Sequence, residues 1–194
     1  MPHSILYLLV RNLLPATVGL FALVAPIPSS AQFVPASPFV PTAQASLASA
    51  FTPGQALPLV LDTIRSARST IFVAAYSFTS KPIAAELRDA SRRGVKVFVL
   101  ADATEASKGY SAVRFLANER VPVRINARYA IQHNKFMVID GTTVQTGSFN
   151  YTSAAAERNA ENVVVVRNAP AIAAQYDAQW RRLWSEGTEL PPAY

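Results

Sequence analysis

A layered α/β/α sandwich around a mixed, mostly β central sheet is the fold class the sequence predicts. Three observations predict it. Helical and strand periodicities alternate from residue 55 to residue 186. One run, VKVFVLAD at 95–102, is apolar on nearly every residue, the mark of a strand covered on both faces. An Asp-Gly pair at 140–141 separates two further β-rich runs, a strong hairpin signal.

The chain has 194 residues, of which 51% are hydrophobic, enough for one medium domain with a real core. Its first 31 residues carry a single formal charge, Arg11. Leu13 to Ala25 is apolar but contains Pro15 and Gly19, and Ser29-Ser30-Ala31 places small residues at a cleavage position. This run is shorter than the roughly 20 residues a spanning helix needs, so residues 1–31 read as a signal peptide. The expected location is periplasmic or secreted, and an uncleaved anchor gives the same side of the membrane. Residues 32–50 are rich in Pro, Ala and Ser without charge or period, and read as a flexible leader. The folded domain is expected over 51–194.

Without residues 1–31 the chain has 17 Lys and Arg against 12 Asp and Glu, a net charge of +5. A modest positive balance favours polyanions such as nucleic acid or anionic headgroups, and it serves solubility equally. The chain has no cysteine, which excludes thiol catalysis and Cys-ligated metal.

From residue 55 the elements follow in order. Leu57, Val60, Leu61 and Ile64 repeat at helical spacing, and TIFVAAYS at 70–77 is a short strand. Ser80-Lys81-Pro82 opens a helix that Gly94 closes. The strand 95–102 leads to a helix around 110–119 and a short strand at 121–126. After residue 150 come a short helix, the strand ENVVVVR at 161–167 and a final helix near 169–186. In that helix Ile172, Tyr176, Trp180, Leu183 and Trp184 share one face, which makes the tryptophans core residues. No internal repeat is present.

The segment IQHNKFMVIDGTTVQTGSFN, residues 131–150, holds the site. With Asp140 and Gly141 as a two-residue turn, Ile139 faces Thr142, Lys135 faces Thr146 and His133 faces Ser148. Side chains two apart share a face, so His133, Lys135, Thr146 and Ser148 gather at the open end of the hairpin. Asn150 is a good N-cap for the helix that follows, whose free N–H groups favour an anion. Singly, each of these residues is ordinary. Together they place a base or nucleophile, a cation, a hydroxyl and an amide around one point, which suits a phosphate. Asp140, at the turn, lies roughly 20 Å from His133 and reads as structural.

The pattern His133-x-Lys135-x4-Asp140-x6-Gly147-Ser148-x-Asn150 resembles the signature of the phospholipase D superfamily. AYSFTSKPIAAEL, RRGVKVFVLAD and RNAENVVVV extend the likeness to small, single-motif exported nucleases over about residues 51–186. The resemblance implies a homodimer in which two copies of one motif meet. It implies His133 as nucleophile through a phosphohistidine and a second His133 as general acid. It makes Glu161 the carboxylate that orients the histidine. Lys135, Ser148 and Asn150 would hold the phosphate oxygens, with Asp140 and Gly147 as structural motif positions. No cofactor and no metal are implied. The expected substrate is DNA or RNA cut without sequence preference, with Arg88, Arg92, Arg93, Lys96 and Lys108 as candidate backbone contacts. Two other readings stay open: a phospholipase D acting on lipid headgroups, and a catalytically silent nucleic-acid-binding protein.

Overall fold

Paired strands and covering helices are what the alternating periods should produce, and a computed structural model shows them. It describes residues 44–109 and 111–194, so the expected signal peptide, and the leader as far as residue 43, lie outside the described residues. The elements are β1 (Ser46–Thr52), α1 (Ala56–Arg65), β2 (Thr70–Ala75), α2 (Lys81–Arg92), β3 (Lys96–Asp102), α3 (Ala103–Ala106) and α4 (Ala112–Asn118). Then come β4 (Val123–Asn126), β5 (Lys135–Ile139), β6 (Thr143–Gly147), α5 (Ser153–Glu157), β7 (Glu161–Arg167), α6 (Pro170–Ser185) and β8 (Thr188–Glu189). The strands form one sheet in the order β1-β7-β6-β5-β2-β3-β4-β8. β2, β3 and β4 run parallel, and the other pairs are antiparallel.

The sheet is covered on both sides, as the run at 95–102 demands. On one face α1, α2 and α4 bury Val60, Ile64, Ile83, Leu87 and Leu116 against Ile71, Val73, Val97 and Val99. Each such side chain contributes about 1.5–3 kcal/mol by leaving water. On the other face α6 packs Ala173 and Trp180 over Ala74, Phe136, Val138 and Val144. Trp180 stacks on Phe72 at 4.5 Å and its ring N–H donates to the Val73 carbonyl at 2.9 Å. Trp184 stacks on Trp180 at 4.8 Å. Ile172 departs from the expected face: it is exposed, and Ala173 takes the buried position. Helix α2 starts as its sequence reads, with the Ser80 hydroxyl accepting from the Ile83 N–H, and Gly94 turns out of it at φ 92°.

Three expectations are corrected. The first is the domain boundary. β1 pairs with β7 from Ser46↔Arg167 to Thr52↔Glu161, so residues 46–50 are sheet and not leader. Composition hid this strand, because an edge strand is held by backbone hydrogen bonds that small residues make as well as large ones.

The second is the hairpin register. Asp140 and Gly141 do take left-handed φ angles of 52° and 65°, and the Thr142 N–H donates to the Ile139 carbonyl at 3.2 Å. The ladder nevertheless resumes one residue later, with Ile139↔Thr143, Val138↔Val144 and Phe136↔Thr146. Thr142 is an extra residue whose carbonyl accepts from the Ala169 N–H at 2.9 Å, at the start of α6. A one-residue slip moves side chains to the other face. Thr146 therefore joins Phe136 and leaves the face of Lys135. The third correction concerns α5. Its N-cap is Thr152, whose hydroxyl accepts from the Ala155 N–H at 3.0 Å, and Asn150 lies before it.

Candidate active site

Lys135 opens β5 and pairs with Ala75, the last residue of β2. The site thus forms where the parallel strands β2 and β3 end, the usual place for a ligand in an α/β sheet. Tyr76 follows β2 directly. Its ring meets the His133 imidazole edge-on at 4.6 Å, and the Lys135 ammonium lies 5.1 Å from its centre. The ammonium donates to the His133 carbonyl at 2.8 Å. Lys135 is 8% exposed, whereas His133 is exposed. Burial pushes the Lys135 pKa below its ordinary value, and the Glu161 carboxylate opposes that shift.

The segment carrying His133 is held from beneath. Asp102, 2% exposed at the end of β3, accepts from the Gln132 N–H at 2.8 Å and from the Glu105 N–H at 3.0 Å. Gln132 is also buried. Its amide donates to the Ala75 carbonyl, and its side-chain oxygen accepts from the Asn134 N–H and the Asn134 amide, each at 2.8 Å. The buried Asp102 carboxylate holds the residue before the imidazole and the buried Gln132 amide holds the residue after it, which fixes the loop.

Glu161 opens β7. Its backbone N–H donates to the Thr52 hydroxyl at 2.9 Å. Its carboxylate accepts from the Ser148 hydroxyl at 2.6 Å and from the Asn159 amide at 3.0 Å. Ser148 also accepts from the Asn162 N–H at 3.0 Å and the Asn162 amide at 3.2 Å. One hydroxyl offers one proton, and here it is given to Glu161, so Ser148 in this arrangement has none for a phosphate oxygen. Among the described residues Glu161 makes no hydrogen bond to His133, so the histidine-orienting role is not displayed within one chain. Gly147, at φ 151°, lets β6 approach β7: a Cβ there would strike the Asn162 carbonyl. Asn150 has its side-chain oxygen buried without a partner.

The site therefore joins His133, Lys135, Glu161 and Ser148 through Tyr76 and through their own contacts. It leaves Thr146 aside and puts Asp140 at the far end of the hairpin. There Asp140 accepts from the Arg68, Ser69 and Thr70 N–H groups and the Ser69 hydroxyl, at 2.8–2.9 Å. Burial pushes its pKa up, but these backbone and hydroxyl donors outweigh it and hold the carboxyl below its ordinary value. Of the expected basic contacts, Arg88, Arg92, Arg93 and Lys108 are engaged by Asp89, Glu119, Glu86 and Glu105. They form ion pairs along the helices rather than an open basic surface. Sequence reasoning missed Tyr76, Asp102 and Gln132. Their position at the ends of β2 and β3, or next to His133, was the available signal. No group of acidic or histidine side chains suited to a metal is present among the described residues.

The chain is similar to known proteins in sequence and in fold. The family model "Cardiolipin synthase, PLD-like domain" matches residues 60–184. Phospholipase D of Rickettsia bellii (strain RML369-C) is 37% identical over 138 residues, 71% of this chain and 68% of that protein. The mitochondrial cardiolipin hydrolase of Xenopus laevis is 32% identical over 127 residues, 66% of this chain and 60% of that protein. Among solved structures, the phospholipase D family member Nuc from Salmonella typhimurium superposes with a TM-score of 0.75 at 37% identity, over 76% of this chain and 99% of that one. The chain belongs to the phospholipase D superfamily. It is accordingly a hydrolase of phosphoric diester bonds.

Proposed function

We propose that the chain is an exported endonuclease that cuts DNA or RNA without needing a metal, working as a homodimer. The observation that carries the polymer substrate is the surface around His133. It is built from Tyr129, Gln132, Asn134, Gln179 and Arg182, which are polar or cationic, with Ile131 and Leu183 as its aliphatic side chains. The names of the relatives from Rickettsia and Xenopus favour the second reading, a lipid phosphodiesterase.

The dimer follows from the chemistry. The chain has two histidines, and the other is His3. A neutral His133 imidazole attacks phosphorus, forming an N–P bond as the P–O bond to the leaving group breaks. A protonated imidazole from a second copy gives its proton to the leaving oxygen. It then takes a proton from water, which attacks phosphorus and releases the first imidazole. Lys135 is fixed beside this point and supplies positive charge to the equatorial oxygens.

Turnover should be compared on single- and double-stranded DNA, RNA and phosphatidylglycerol vesicles, with chelator present throughout. Nucleic acid cleavage that survives chelation is expected. Lipid hydrolysis without nucleic acid cleavage overturns the nuclease reading, and a fully active monomer overturns the shared site.

A further inference from the structure

His133 forms part of the wall of a cleft of about 190 Å³ whose other side comes from distant parts of the chain. Tyr129 and Asn134 flank it on the histidine loop, and Gln179, Arg182 and Leu183 of α6 face them. None of these belongs to the superfamily pattern quoted above. His133 lines this cleft, so a substituent on the phosphorus it attacks has this space beside it.

Tyr129 is 38% exposed, yet it is not free to move. Its hydroxyl accepts from Arg182 at 2.6 Å and donates to the Glu186 carboxylate at 3.0 Å. Arg182 is tied in turn to Glu186 at 2.7 Å and to Gln179 at 3.2 Å, with its guanidinium 5.9 Å from the centre of the Tyr129 ring. An exposed aromatic ring clamped by its polar end is already ordered before a ligand arrives, so little entropy is lost when something flat stacks on it. Charge points the same way. Arg128 and Arg182 both approach Glu186, which leaves the trio one net positive charge at the rim. A buried acyl chain would meet Arg182, Gln179 and Asn134 and leave them desolvated.

We propose that this cleft is a nucleotide subsite: an unpaired base next to the scissile phosphate stacks on Tyr129, beside a rim that carries one net positive charge. The proposal rests on the nuclease reading and sharpens it. A base lying on Tyr129 has left its duplex stack, so single strands are the preferred substrate.

The test compares oligothymidylate with an abasic oligomer of equal length and phosphate count. Base stacking on an aromatic ring leads to a preference of about tenfold in kcat/KM for the base-bearing strand. Tyr129→Ala removes that preference, and Tyr129→Phe keeps part of it, because the ring makes the contact and the lost hydroxyl only releases its clamp. Arg182→Gln takes a positive charge from the rim and a clamp from Tyr129, so it weakens both oligomers and also reduces the preference for the base-bearing strand. An unaltered chain that treats the two oligomers equally overturns the subsite, as does a folded Tyr129→Ala chain that still prefers the base. If neither oligomer is cut while phosphatidylglycerol vesicles are hydrolysed, the nuclease reading fails and takes the subsite with it. In the first two outcomes nucleic acid is still cleaved, which separates the two failures.

Discussion

The two ends of the β5–β6 hairpin draw on the same short motif and do opposite work. At the turn end, Asp140 directs its carboxylate at four donors of the segment entering β2, and its own N–H donates to the Thr70 carbonyl at 3.0 Å. The Asp140 carboxylate and N–H are spent on the fold. At the open end, His133 is exposed, and Lys135 is buried with one hydrogen bond, to a carbonyl. A polar residue of the motif with its hydrogen bonds filled acts on stability, and one left open acts on a ligand.

Substitutions at the two ends should separate these roles. The largest effect is expected from His133→Asn, which removes both the nucleophile and the acid of a shared site. Turnover should fall by about 10⁴-fold or more while the melting temperature stays put. Lys135→Met comes next. Removing one preorganised positive donor should cost about 10²–10³-fold in kcat, and relief of a buried charge should leave stability unchanged or raised. Asp140→Ala should reverse the pattern, costing about 2 kcal/mol of stability in urea unfolding while the folded enzyme keeps its kcat.

The acid limb of stability gives the same contrast. The Asp140 pKa is lowered in the folded state, so its contribution is fully present above the unfolded value and is lost as pH falls through the folded one. The Asp140→Asn chain should therefore lose less stability than the parent between about pH 5 and pH 2. The smallest effect is expected from Glu161→Gln. Glu161 raises the Lys135 pKa against burial, so its neutralisation should lower that pKa further. The alkaline limb of kcat/KM should move to lower pH, and an unmoved limb would show that Lys135 does not set it.

Much of the fold was legible because it is written in local periods. The strand at 161–167 appears over those same residues, and α2 opens at Ser80 and closes at Gly94 as the capping pattern reads. His133 and Lys135 were legible from spacing and residue type. Three features were not. Leu47, Ser49 and Ala50 carry no strand signal, and only pairing with β7 makes them β1. Thr142 looks like any residue after an Asp-Gly turn, and it becomes an extra residue because Ala169 binds its carbonyl. The turn register pairs Ser148 with His133, whereas its hydroxyl is taken by Glu161, thirteen residues away.

The sequence by itself determined the element types, the layered class and the family of chemistry, since periodicity, capping and motif spacing are properties of near neighbours. Tertiary structure alone decided the hairpin register, the partner of Glu161, the Asp102–Gln132 clamp under His133 and the cleft that Tyr129 and Arg182 make beside it. Each of those depends on groups thirteen to more than fifty residues apart, and no local pattern encodes which distant atom will fill a hydrogen bond.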